Sequence, residues 1–155
     1  MVSPHQLELL SRQINQAHRT AVQAELAAAG LSEIGHPMLL SILKSGGEDS
    51  ACQCGAQREL AELLHISPAA VASSLKSLEK SGYIRREPGQ EDARRNRVLL
   101  TEKGRQAVEG CDRAFESVSR QMLAGFSQEE QELLLSFRQR MLHNLTQSNQ
   151  AKEVD

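Results

Sequence analysis

Arg94, Arg95 and Arg97 fall within the stretch EPGQEDARRNRVLL (87–100), between a Pro-Gly turn and a short apolar run. Guanidinium groups crowded onto one short segment suit phosphate contacts or insertion into a minor groove. A plainer role exists, since charge also keeps an edge strand from aggregating. Cys52 and Cys54 form a second group. Two thiolates separated by one residue can chelate a soft metal, with His65 or Cys111 as a further ligand, or act as a redox pair. Two ordinary loop thiols are the plainer alternative. Cys111 itself reads as a small core hydrophobe. The five histidines are scattered. No G-x-S-x-G, H-E-x-x-H or P-loop occurs, and no paired carboxylates suggest an active site, so an enzyme is a poor reading.

These residues need elements to hold them. Leu7, Leu10, Ile14, Ala17 and Ala21 step by three and four, which predicts an amphipathic helix over 5–28 ended by Gly30. GHPMLLSILKSGG predicts a helix with Pro37 in its first turn, closed by Gly46-Gly47. EDSACQC reads as a polar loop and AQRELAELLHI as a short helix. Ser67 is the expected N-cap, with Pro68 at the first position, of a helix running to about Lys80 and stopped by Gly82. YIRRE, PGQEDARR and NRVLL read as strand, turn and strand. Thr101 caps a long helix carrying Val108, Cys111, Phe115, Val118 and Met122. That seam asks for a partner helix, within the chain or from a second copy. Ser127 and Glu130 match a capping box opening a last helix with Leu133, Leu134, Phe137, Met141 and Leu145. QSNQAKEVD at the end reads as frayed.

Residues 57–104 thus run helix, short turn, helix, hairpin, the order of a helix-turn-helix with a wing. The second helix of such a unit lies in the major groove. Its expected buried stripe is Val71, Leu75 and Leu78. The opposite face then presents Pro68, Ala69, Ala72, Ser73, Lys76 and Ser77, with Ser67 at the start. Small residues allow close approach to a duplex, while the hydroxyls and Lys76 reach phosphates or base edges. A solvated surface helix would look similar. The basic hairpin beside it favours DNA. The net charge of -2 hides the same asymmetry: residues 76–105 hold nine Lys or Arg against five Asp or Glu, in an otherwise acidic chain.

The segments RELAELLHIS, LKSLEKSGYIRR and DARRNRVLLTEKG resemble the DNA-binding core of the MarR family of winged-helix regulators. The last carries that family's wing signature, D-x-R followed by L-T-x-x-G. The resemblance implies a mainly α fold with a small β-hairpin, a winged helix-turn-helix flanked by N- and C-terminal dimerisation helices. It places one domain over 1–155, with dimerisation helices at 5–35 and 105–147 and the winged lobe at 37–104. It further implies a cytoplasmic homodimer on double-stranded DNA, usually a repressor of a pseudo-palindromic operator. Asp92 and Arg94 fall on the signature positions, Arg94 for the minor groove and Asp92 as its brace. A carboxylate two residues away orients a guanidinium on physical grounds as well. The helix from Ser67 departs from many members by carrying Ala72 and Ser73 in place of a Thr-Arg pair.

Release by a small ligand, a metal or an oxidant is what the resemblance implies next. His18 and His36 are candidates for lining the family's ligand cavity, although lone helix histidines are more often surface residues. Cys52 and Cys54 are the candidates for metal or oxidant. A winged-helix protein-interaction module without DNA binding is the alternative; it would carry an acidic or apolar face on 67–80 and an uncharged wing. Composition agrees with a globular protein, at 39% hydrophobic and 25% charged residues. With 3% aromatics and no Trp, Leu and Ala must build the core, which favours helix. The apolar runs are too short to span a bilayer, no signal peptide is expected, and three cysteines fit a reducing cytosol.

Overall fold

The computed structural model describes residues 2–45, 56–88 and 96–152. Among the described residues, six helices and a two-stranded antiparallel hairpin follow in the order α1 Pro4–Ala28, α2 Pro37–Ser45, α3 Ala56–Leu64, α4 Pro68–Lys80, β1 Ile84–Pro88, β2 Asn96–Leu100, α5 Glu102–Met122 and α6 Gln128–Lys152. The architecture is mainly helical with one small hairpin, as expected. The chain divides into two compact units, Met1–Val118 and Ser119–Asp155.

Local chemistry sets the boundaries of the first unit. Gly30, at φ 73°, closes α1 in the left-handed conformation that glycine adopts without steric cost. Gly82 does the same after α4, at φ 79°. Ser67 accepts the Ala70 N–H at 3.1 Å and Thr101 accepts the Gly104 N–H at 3.0 Å, so each hydroxyl caps the helix it precedes. The core gathers Leu26 of α1, Ile34, Leu39 and Leu40 around α2, Val71 and Leu75 of α4, Tyr83, Ile84, and Val108 and Cys111 of α5. Aliphatic side chains fill it, with Tyr83 its largest fully buried member.

The seam on α5 finds its partners inside this unit. Val108, Cys111 and Val118 are buried in the chain's own core and Phe115 packs against it. Of the two covers that the spacing left open, the chain's own core is the one seen over these residues, because helical spacing identifies a face but not what covers it. The uncovered apolar residues lie elsewhere. Leu7, Leu10 and Ile14 of α1 are exposed although Val22 and Leu26 of the same helix are buried.

In the second unit, α6 opens on the expected capping box. Glu130 N–H donates to Ser127 Oγ at 3.2 Å, and Ser127 N–H donates to the Glu130 carboxylate at 2.7 Å. Leu133, Phe137, Met141 and Leu145 are exposed along it. The expected frayed end is corrected over residues 147–152, where the helix runs on to Lys152, and residues 153–155 lie outside the described residues. Nothing in QSNQAK breaks a helix, there being no Gly or Pro.

Candidate nucleic-acid interface

The turn between α3 and α4 is built by the backbone. Ile66 N–H donates to Ala61 C=O at 3.1 Å and His65 N–H to Glu62 C=O at 3.3 Å, the paired bonds of a Schellman motif. His65 occupies its left-handed position at φ 51°, a conformation most side chains avoid. Ser67 then starts α4 at once. On α4, Val71, Leu75 and Leu78 are buried as their spacing demands. Ser67, Pro68, Ala69, Ser73, Lys76 and Ser77 are exposed and Ala72 is half-buried. The face expected to meet DNA is thus open along its length. Ser74 was not foreseen as a core residue. It is buried, and its hydroxyl donates to Ala70 C=O at 2.9 Å, satisfying its one polar group within the helix.

The wing follows immediately. The strands pair from Ile84 opposite Leu100 to Pro88 opposite Asn96, setting Arg97 across from Glu87. Asp92, Arg94 and Arg95 belong to residues 89–95, which join the strands and lie outside the described residues, as does the side chain of Arg97. Cys52 and Cys54 also lie outside them. Two further cations that the sequence reading did not single out are held on β1. Arg85 pairs with Glu87, and Arg86 stands 3.3 Å from the Glu79 carboxylate of α4.

The root of the wing is clamped to α5. Thr101 N–H donates to Tyr83 C=O at 3.0 Å, and Thr101 Oγ1 donates to Gly82 C=O at 2.6 Å. A methyl group on Gly104 would sit 2.0 Å from the Tyr83 carbonyl oxygen, so glycine is what lets the helix approach the hairpin this closely. The L-T-x-x-G stretch is therefore a mechanical joint. Lys103 completes it, with its ammonium 4.3 Å from the centre of the Tyr83 ring and donating to Ser81 C=O at 2.7 Å.

Tyr83 reaches in the other direction too. Its hydroxyl donates to the Glu33 carboxylate between α1 and α2, fifty positions away in the sequence. Burial, then the hydrogen bond to Glu33, pushes the phenol up to about 12. The Tyr83 hydroxyl in turn holds the Glu33 carboxyl below the usual range. The neutral phenol favours the folded state. Its stabilisation, about 3 kcal/mol, is full below about pH 10 and is lost as pH rises toward about 12. Tyr83 is the single tyrosine in a chain without tryptophan, so tyrosinate absorbance reports it alone. The expected midpoint is about 12 in the native protein and about 10 in denaturant. A native midpoint equal to the denatured one would disprove the buried Glu33-bonded hydroxyl.

Beside this bond lies a cleft of about 220 Å³, lined by Glu33, His36, Ser73, Ser77, Ser81 and Tyr83 among others. The structure brings His36 against the exposed serines of α4. His18, half-buried on α1, does not line it. Neither Glu33 nor Tyr83 was foreseen as part of a site; the signal available was one tyrosine in a core almost without aromatics.

Residues 29–95 match the sequence pattern of the MarR family. That match spans the helix-turn-helix and the first strand of the wing, less than half of the chain. Among relatives of this chain, the uncharacterized HTH-type transcriptional regulator YdgJ of Bacillus subtilis (strain 168) is 37% identical over 89 residues, 57% of this chain and 54% of that protein. The chain spans about half the length of the curated relatives it matches. A probable transcriptional regulator from Pseudomonas aeruginosa superposes with TM-score 0.65 at 30% identity, covering 87% of this chain and 96% of that one. The S. aureus MepR–DNA complex superposes with TM-score 0.76 at 23% identity, over 93% and 99% of the respective chains, a likeness of fold.

Among the described residues no helix is long and apolar enough to cross a membrane. Among them too, no three His, Cys, Asp or Glu side chains gather as a metal site.

Proposed function

We propose that this chain is a cytoplasmic, homodimeric DNA-binding repressor of the MarR family. On this reading α4 enters the major groove through Ser67, Pro68, Ala69, Ala72, Ser73, Lys76 and Ser77. The wing grips the neighbouring minor groove through Arg94, with Arg95 and Arg97 on phosphates and Asp92 as brace. The observation that carries it is the open, small-residue face of α4, continuous in the chain with an arginine-rich hairpin whose root is clamped. A protein of the same fold, S. aureus MepR, is solved as a complex with DNA, which supports DNA as the partner. The protein-interaction alternative is disfavoured because residues 68–77 carry no acidic side chain and one lysine. The role is binding rather than catalysis. Fluorescence anisotropy on duplexes from the chain's own promoter region tests it: affinity should fall steeply with added salt, as phosphate contacts require. Absence of any salt-sensitive binding would refute it.

Dimerisation is part of the proposal, and its support is the apolar residues left open on α1 and α6. Leu7, Leu10 and Ile14 on α1, and separately Leu133, Phe137, Met141 and Leu145 on α6, are each a run of exposed apolar side chains of the kind that marks an interaction surface. Light scattering at micromolar concentration should return about twice 17.1 kDa. A mass equal to one chain would overturn the dimer.

Release from the operator is assigned to a small ligand at the His36 cleft, or to metal or oxidant at Cys52 and Cys54; His18 does not line that cleft. A Cys52→Ser, Cys54→Ser double variant separates the two routes. If peroxide, zinc and copper act identically on parent and variant, the cysteines are passive and the cleft remains.

A further inference from the structure

We infer that Glu79 and Arg86 are positioning residues for DNA binding: their ion pair ties the wing to α4 and so fixes the direction in which the wing projects. This goes beyond the DNA contacts assigned above and rests on α4 and the wing being the two elements that meet the duplex. Glu79 acts through the wing rather than on DNA.

The pair joins the two elements directly. Glu79 lies in the last turn of α4 and Arg86 in the middle of β1, with the carboxylate 3.3 Å from the guanidinium Nε. Strand alternation puts Arg86 on the same face of the hairpin as Ile84, and the register sets it opposite Val98. Ile84 and Val98 are both buried, so Arg86 extends the inner face of the wing, on the strand that packs against α4. Arg85 and Glu87 pair with each other on the opposite face.

Electrostatics favour the pair over either residue alone. Arg86 Nε is buried and makes no hydrogen bond, so a carboxylate rather than water offsets its charge. Glu79 needs its partner too, because an acidic side chain in the last turn of a helix faces the partial negative charge of the terminal carbonyls. On a DNA-facing helix that acid also repels phosphate. Arg86 offsets both penalties.

The hairpin is a two-stranded ribbon, a unit that holds its shape poorly alone. Thr101 and Gly104 fix its root, but a ribbon attached at one end can swing. From Tyr83 to the end of β1 at Pro88 is about 17 Å at the rise of a strand, so a swing of about 10° displaces the far end by about 3 Å. That is a whole hydrogen-bond length, enough to lift a guanidinium from its contact. A second attachment at Arg86, partway along β1, removes this freedom. Arg94 lies in the connection beyond the strand ends, so its placement depends on where the ribbon points.

Hydrogen exchange of the β1 and β2 amides in the DNA-free chain reads the tie itself. Glu79→Gln should speed their exchange about two- to fivefold, the range of a part-exposed ion pair. The charge swap, Glu79→Arg with Arg86→Glu, should restore the parent rate. Fluorescence anisotropy on duplex DNA then reads the positioning. Loss of an acid beside DNA would by itself tighten binding, yet Glu79→Gln should weaken it about three- to tenfold, a part of what a seated arginine contributes. The swap, of equal net charge, should recover the parent affinity. In an Arg94→Ala background Glu79→Gln should change affinity by less than about twofold, because the contact it positions is already gone. Unchanged exchange in Glu79→Gln overturns the tie. Tighter or unchanged DNA binding, or equal weakening in both backgrounds, overturns the positioning role. Failure of the parent to bind any duplex sinks the function proposed above, and exchange still decides the tie.

Discussion

Gly104→Ala should destabilise the protein by about 3–5 kcal/mol, at the upper end for a single methyl group. The added carbon would lie 2.0 Å from the Tyr83 carbonyl oxygen and 3.0 Å from its carbon. Neither atom can retreat, because that carbonyl accepts the Thr101 N–H and the Tyr83 side chain is buried. Relief requires α5 to move off the hairpin, which breaks the Thr101 bonds and exposes Ile84 and Val98. The matched control is Gly110→Ala. There the new methyl meets the Leu31 Cδ1 at 2.5 Å, the end of a flexible side chain that can rotate away, so about 1 kcal/mol is expected. In thermal melts the first variant should fall by about 10 °C and the second by a few degrees. Equal losses would show that the joint at Tyr83 is not rigid.

Arg94→Ala should cost about 1–3 kcal/mol of operator affinity, roughly five- to 150-fold, with the melting temperature unchanged. The argument is positional. The strand register leaves residues 89–95 as the connection beyond Pro88 and Asn96, and Arg94 stands in it two residues after Asp92. A guanidinium in a minor groove is held by concentrated negative potential, and alanine removes that contact. Substitution of Arg138 on α6, exposed and outside the winged segment, should change affinity little. Parent-like binding by a folded Arg94→Ala protein would remove the wing from the interface.

Element boundaries were legible wherever one residue's chemistry decides them. Ser67, Thr101 and Ser127 cap the helices expected of them, and Gly30 and Gly82 end theirs in left-handed conformations. The buried stripe of α4 was legible because Val71, Leu75 and Leu78 differ so plainly from the serines opposite. The destination of an apolar stripe was not. Val108 and Val118 could have served a second copy as well as the chain's own core, since spacing is blind to partners. The Tyr83–Glu33 bond was illegible for a related reason: its two ends are joined by the fold and by no local pattern. Ser74 shows a smaller blind spot, a hydroxyl rendered compatible with burial by the carbonyl one turn before it.

The joint at Thr101 and Gly104 bears on how such a protein can change its target. What fixes the hairpin to the body is a hydroxyl on two carbonyls and a residue with no side chain at all. None of those groups belongs to the face of α4 or to residues 89–95. On the proposed reading, attachment and recognition are therefore separable in inheritance: substitutions on the open face of α4 leave the groups of the joint unchanged. A lineage of such chains could, on that reading, diverge in the sequences it recognises while the joint of Thr101 and Gly104 stays the same.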